Sequence, residues 1–227
     1  MSGIRRFIRK LFPVHYFLHN RSYSQEGEDM VLRGFFEGQK NYKGFYVDVG
    51  AHHPFRFSNT MYFYRKGWRG INIEPTPTVM RLFRMFRRRD INLNLGISES
   101  RQQLTFYCFN EPALNGFSKA VSEERDQTNG YRIVNTLQID TWPLAEVLDR
   151  YLPPGQQIDF LSVDAEGLDL AILRSNNWQK YKPRYILVED AIDPEHPDDS
   201  ETYRFLKGWG YTWVAKTGRT LFFKLQA

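Results

Sequence analysis

Cysteine is nearly absent from this chain: Cys108 is the one thiol among 227 residues. An internal disulfide is thereby excluded, and a reducing, cytoplasmic setting is expected. Long apolar runs are missing as well. No stretch of eighteen apolar residues occurs, so no membrane-spanning helix is predicted. Acid is missing from one end. Residues 1 to 22 carry Arg5, Arg6, Arg9, Lys10 and Arg21 without a carboxylate, which accounts for the whole formal net charge of +5. Basicity thus belongs to an arm and not to the body, so no nucleic-acid partner is expected. Internal repeats and low-complexity stretches are absent too.

The arm itself, residues 1–22, is set apart from a single domain over 23–227. Ile4, Phe7, Ile8, Leu11 and Phe12 recur at helical spacing with basic residues between them. Arginines interrupt the apolar pattern and no small-residue cleavage site follows, so a secretory leader is not expected. The pattern predicts a short amphipathic helix. It would dock on the protein's own body, or make peripheral contact with anionic lipid on the inner membrane face through residues 1–20.

From Tyr23 onward helical and extended patterns alternate, which predicts an α/β fold with a doubly wound, mostly parallel sheet. Helices are expected from Ser24 to Phe36, Asn59 to Lys66 and after Thr76-Pro77, with Gly67 as a left-handed terminator. In the third of these Arg81, Arg84, Arg87 and Arg88 are expected to face solvent. Strands are expected at Phe45–Val49, Trp68–Ile73, Ile91–Leu95, Ile158–Val163 and Arg184–Val188. Leu104–Phe109 and Arg132–Ile139 read as a β-hairpin inserted after the third strand, and a helix is expected to begin at Asp140 or Thr141. Tyr211–Ala215 and Leu221–Leu225 flank a Lys-Thr-Gly-Arg turn and predict a closing antiparallel hairpin. The total is seven strands in the main sheet.

Phe45-Tyr46-Val47-Asp48-Val49-Gly50-Ala51 places a carboxylate and a glycine at the end of the first strand, where doubly wound sheets bind ligands. Glu74 closes the second strand, and an acid there accepts both ribose hydroxyls of an adenosine. A nicotinamide dinucleotide would fit that pair too, but its pyrophosphate needs further glycines at a helix N-terminus. Here His52-His53-Pro54 follows Gly50, and no G-x-G-x-x-G occurs. S-adenosylmethionine has no pyrophosphate, and its cationic groups are attracted to Asp48.

The run Ser24-Gln25-Glu26-Gly27-Glu28-Asp29, then Val47 to Pro54, Ser58-Asn59-Thr60, Gly67 to Pro75, Thr136 to Asp140 and Val163-Asp164-Ala165-Glu166-Gly167 resembles FkbM-type methyltransferases over roughly Tyr23 to Asp190. The order and spacing of the pieces carry the resemblance. It implies the class I, Rossmann-like methyltransferase fold and O-methylation of a hydroxyl on a sugar, glycan or glycosylated small molecule. It further implies that Asp48, Gly50 and Ala51 line the methionine end of the cofactor, and that Glu74 takes the ribose. Asn59 and Thr60 would close over the cofactor, Asn94, Leu95 and Gly96 would border adenine, and Gln25 would approach the site.

A second acidic group is expected where Asp164 ends the fourth long strand and Glu189-Asp190 end the fifth, about 5 Å apart by strand spacing. Acids crowded at a ligand edge repel unless a cation intervenes. Metal-dependent O-methyltransferases resemble this arrangement, so Asp164, Glu189 and Asp190 are candidate ligands of a Mg²⁺-like ion; in the alternative Asp164 holds the cofactor and the Glu189-Asp190 pair is solvated or salt-bridged. Glu166 and His53 are candidate general bases, with His196 a rival. Phe106, Tyr107, Phe109 and Phe117 are available to stack on a sugar ring or to pack in the core. From another functional class, the sequence also fits a catalytically inactive methyltransferase-like module recruited to membranes or partners by its arm.

Overall fold

The computed structural model describes residues 21–39 and 41–226. The arm over 1–22 therefore lies almost wholly outside the described residues, together with the membrane contact expected of it. The elements in chain order are α1 (Glu28–Phe35), β1 (Phe45–Val49), α2 (Met61–Arg65), β2 (Arg69–Ile73), α3 (Pro77–Phe86), β3 (Ile91–Leu93), β4 (Gly96–Ile97) and β5 (Gln102–Phe109). There follow α4 (Lys119–Arg125), β6 (Ile133–Trp142), α5 (Leu144–Tyr151), β7 (Phe160–Val163), α6 (Asp169–Arg174), β8 (Tyr185–Glu189), α7 (Glu201–Gly208), β9 (Tyr211–Lys216) and β10 (Thr220–Leu225).

Seven strands form the main sheet in the order β3-β2-β1-β7-β8-β10-β9. All neighbours are parallel except β10, which runs antiparallel to both β8 and β9. This is the class I methyltransferase topology: a doubly wound sheet with an antiparallel hairpin at its C-terminal edge. The direction of winding reverses between β1 and β7, and ligands sit at such a switch point. Register makes the point concrete. Val49 is level with both Ile73 and Val163, so Gly50, Glu74 and Asp164 leave three adjacent strands at one height.

Two cores cover the sheet because successive side chains alternate sides. Phe45, Val47 and Val49 of β1, Ile186 and Val188 of β8, and Leu221 and Phe223 of β10 enter one core, with Leu144, Val147 and Leu148 of α5 and Leu206 of α7. Tyr46, Tyr185, Leu187 and Phe222 enter the other, with Leu32 of α1, Phe63, Trp68 and Phe160. Among the described residues no helix is long and apolar enough to cross a membrane.

Several expectations change. Instead of starting a helix, Asp140 and Thr141 continue β6 to Trp142, because the Thr141 hydroxyl pairs with Ser98 Oγ (2.7 Å) and reaches the Gln102 carbonyl (3.1 Å). The insertion is more than a hairpin: β4, β5 and β6 form a separate three-stranded sheet, and α4 lies between β5 and β6. α1 begins later than Ser24, at Glu28, although the Asp29 amide does donate to Ser24 Oγ (3.3 Å). α7 had no clear sequence signal. Arg87, expected in solvent, is 0 % exposed.

Phe160 sits at the centre of the aromatic core, with ring centroids 5.0 Å from Phe63 and 5.6 Å from Tyr46. Truncation there leaves a cavity that rigid strands cannot fill. Phe160→Ala is expected to lower unfolding free energy by about 3–5 kcal/mol in urea titration.

Candidate active site

At the C-terminal ends of β1, β2, β7 and β8 lies an open cleft of about 1200 Å³ including its mouth. Its geometry begins with Gly50. That residue has φ +75°, and a Cβ on it would stand 1.7 Å from the Asp164 carbonyl oxygen. No other residue permits this approach of the two strand ends. The Gly50 and Ala51 amides both donate to the Ile73 carbonyl at 3.1 Å, which folds the loop after β1 across the tip of β2.

Glu74 is buried there. Its Oε2 accepts from the His52 amide (3.0 Å) and its Oε1 from the Thr76 amide (2.7 Å). Burial pushes its carboxyl up to about 7 against the opposing pull of those donors, and the Asp48 charge adds to the rise. Asp48 is buried as well and accepts from Thr60 Oγ1 at 2.9 Å. Burial raises it to about 6, while Thr60, Arg87 and Ser162 hold it down. Asn59 lines the cleft and donates to Ser162 Oγ (3.0 Å). Gln25, Ala51, Leu95 and Gly96 line it too. Two residues expected at the cofactor act from behind. Thr60 touches Asp48, and Asn94 donates to the Glu74 and Pro75 carbonyls (2.9 and 2.7 Å); neither forms the wall of the cleft.

The second acidic group differs from the one expected. Carboxylate oxygens of Asp164, Glu166 and Glu189 converge within 4.8 Å of one another. Asp190 turns away, because its carboxylate accepts from the hydroxyl of Ser200, the residue that caps the start of α7. Desolvation within the cleft walls, then the charge of Glu189, raises Asp164 well above the usual carboxylate range. Glu166, with φ +50°, pairs with Arg125 of α4. Burial raises its carboxyl and the guanidinium opposes the rise. Arg219, from the closing hairpin, stands 3.7 Å from Glu189 and 3.8 Å from Glu26.

His53 is not a cleft residue: its Nδ1 accepts the Phe55 and Arg56 amides (3.2 and 3.1 Å), which turns the ring onto its own loop. His196 bonds Asp193 on an exposed loop. The neighbouring His52 does line the cleft, with a buried Nε2 that has no partner among the described residues. Burial and the Arg56 charge lower it to about 4, so the ring is neutral near pH 7. The left-handed turn at His52 (φ +52°) that decides between the two histidines has no sequence signature. Glu28, Arg125 and Arg219 were also missed, each brought in by tertiary packing. Of the four insertion aromatics, Phe106 and Phe117 line the cleft with centroids 4.8 Å apart; Tyr107 and Phe109 do not.

A family model for the FkbM methyltransferase domain matches residues 48–212. The chain belongs to the FkbM methyltransferase family. This FkbM match opens on Asp48 itself and embraces Glu74, Asp164 and Glu189, while Gln25, Glu28 and Arg219 fall outside it. No curated protein matches the chain. A crystal structure from Klebsiella pneumoniae, provisionally assigned as an O-methyltransferase, is similar at 10% identity and TM-score 0.44, covering 100% of this chain and 97% of that one.

Asp48, Glu74 and Asp169 (the last raised to about 6 by burial) have folded values above those of an unfolded chain. The folded state therefore holds their protons more tightly. That stabilisation is complete below about pH 4 and disappears as pH rises through 6 to 7. In scanning fluorimetry at fixed ionic strength, the protein without ligand should melt several degrees higher at pH 5.5 than at pH 8. Asp164→Asn should narrow the gap; a melting point that climbs over this range would contradict the assignment.

Proposed function

We propose that this FkbM-family methyltransferase uses S-adenosylmethionine and methylates a hydroxyl of a sugar, glycan or glycosylated small molecule. The observation that carries the cofactor is the Asp48–Gly50–Glu74 arrangement at the switch point. Two buried carboxylates there make no direct ion pair among the described residues, and the turn after Gly50 offers no glycine-rich cradle for pyrophosphate. The residues fit in kind: Glu74 has lone pairs left for ribose hydroxyls, Asp48 suits the ammonium of the methionine moiety, and Leu95 and Gly96 offer a flat apolar border for adenine. When bound, S-adenosylmethionine supplies a methyl group on a positively charged sulfur.

The acceptor half is made by this chain's own acids and aromatics. A hydroxyl entering beside Asp164 gives its proton to that carboxylate, whose affinity for protons is raised by burial and by the neighbouring Glu189. Glu166 is held by Arg125 and shapes the pocket around that pair. Phe106 and Phe117 offer faces on which a sugar ring stacks. Three carboxylate oxygens within 4.8 Å also suit a Mg²⁺-like ion by ligand type, with Glu166 in the place expected of Asp190. Such an ion would compete with Arg125 for Glu166.

Isothermal calorimetry with S-adenosylhomocysteine and with NAD tests the cofactor. Heat is expected with the first alone, and Glu74→Gln should weaken it about 10- to 100-fold, the worth of hydrogen bonds to a charged group. Binding of NAD alone would overturn the proposal. In turnover assays over hydroxylated acceptors, Asp164→Asn should lower kcat about 10²- to 10⁴-fold with the cofactor KM little changed. Cofactor binding without turnover of any acceptor would favour the inactive module. Full activity in EDTA would remove the divalent ion.

A further inference from the structure

Arg87 is an arginine at 0 % exposure whose surroundings are fully specified. Its Nε donates to Asp90 Oδ2 (3.1 Å), one Nη to the Pro54 carbonyl (3.2 Å), and the other Nη to Tyr46 Oη and Thr60 Oγ1, both at 2.8 Å. Asp90 is saturated in turn by Tyr46 Oη (2.6 Å), the Gly70 amide (3.1 Å) and Asn72 Nδ2 (3.0 Å). Burying a guanidinium so completely is costly, and the ion pair with Asp90 alone explains one edge of it. The other edge points at Thr60.

Thr60 has a single hydroxyl proton. Arg87 can only donate, so the Thr60 oxygen is the acceptor in that contact, and its own proton is left for Asp48 Oδ2 at 2.9 Å. The order guanidinium, hydroxyl, carboxylate therefore has one direction. A hydroxyl that accepts from a cation is also a stronger donor. We propose that Arg87 and Thr60 are positioning residues that keep Asp48 ionised and aimed at the cofactor cation, an inference resting on the S-adenosylmethionine assignment above.

The need for such a device is visible at Asp48. Its carboxylate is buried, and it faces the acids Asp90 and Glu74 as well as the cation Arg87; Ser162 Oγ also bonds it. Burial and those two acids favour its neutral form, while Thr60, Arg87 and Ser162 favour the charged one. A neutral Asp48 gives up its attraction for an ammonium. Removing the Thr60 hydroxyl tips the balance without touching a group that contacts ligand.

The test is calorimetric affinity for S-adenosylhomocysteine between pH 5.5 and 8.5 in the full chain, with wild type, Thr60→Ser, Thr60→Val and Thr60→Ala compared. Wild type and Thr60→Ser should lose affinity in parallel as pH falls, through Glu74 and Asp48 together. In Thr60→Val and Thr60→Ala the Asp48 part of the loss should move up by about one pH unit, about twofold weaker at pH 7 and nearly tenfold weaker at about pH 5.5, with wild-type affinity regained by pH 8.5. Two hydroxyl-free variants are made so that one folded protein suffices. A uniform loss at every pH, or no shift, would overturn the relay and leave the cofactor assignment standing. Absence of binding by wild type at any pH would overturn both.

Discussion

The close approach of the Gly50 backbone to the Asp164 carbonyl governs the rest of the site. Parallel strands β1 and β7 end level with each other, and only a residue without Cβ lets the chain after β1 fold across the tip of β2. Once folded there, the Gly50 and Ala51 amides are fixed on Ile73, and the His52 amide is fixed on Glu74. Asp48, on the same strand two residues earlier, faces the cleft by the ordinary alternation of β-structure. A single glycine therefore converts three strand ends into one carboxylate-lined concavity.

That concavity is electrostatically unfinished. Among the described residues seven acids line it, against Arg219 as the lone arginine. Arg125 and Arg87 contribute from just outside the wall, one to Glu166 and the other through Thr60 to Asp48. Proteins neutralise buried acids by pairing or by protonation; here Arg125 pairs with Glu166, while burial raises the proton affinity of Asp48, Glu74 and Asp164. The positions left over lie beside Asp48 and beside Asp164. These are the places where a cation, or a group surrendering a proton, gains most. A methyl donor with positive sulfur and a hydroxyl that must lose its proton complement the two.

Much of this was legible in the chain. The apolar residues on either side of Asp48 in Phe45–Val49 gave β1 its two-sided burial, Pro77 after Thr76 gave α3 its start, and the polar Lys-Thr-Gly-Arg break between two apolar runs gave the closing hairpin its turn. Gly50 and Glu74 were found because strand ends are fixed by pattern and their chemistry is local. Failures share another cause. Arg87 looks like one of a row of solvated arginines, and nothing near it in sequence announces Asp90, Tyr46 and Thr60 as partners. Glu166 stands in the acidic cluster in the place expected of Asp190 because both lie just past a strand end, where one turn of loop decides which carboxylate faces inward. His53 lost to His52 for the same reason. Side chains carried by loops after β-strands depend on backbone angles such as φ +50° at Glu166, which L-residues rarely adopt and sequence patterns do not mark.

The insertion explains how one cofactor frame can serve a particular acceptor. β4 joins it directly to the end of β3, and the missing side chain of Gly96 admits the Phe117 ring, since a Cβ would meet it at 2.5 Å. Gly116 packs against Glu166, Ser118 and Val121 lie over Gly167, and Arg125 closes on Glu166. This wall of the cleft is thus fastened at one side to Gly96 beyond β3 and at the other to Glu166 and Gly167 beyond β7. None of these fastenings involves Asp48 or Glu74. Changes in the insertion can therefore reshape this side of the cleft and retune its acids through Arg125 while the Asp48–Gly50–Glu74 arrangement stays as it is.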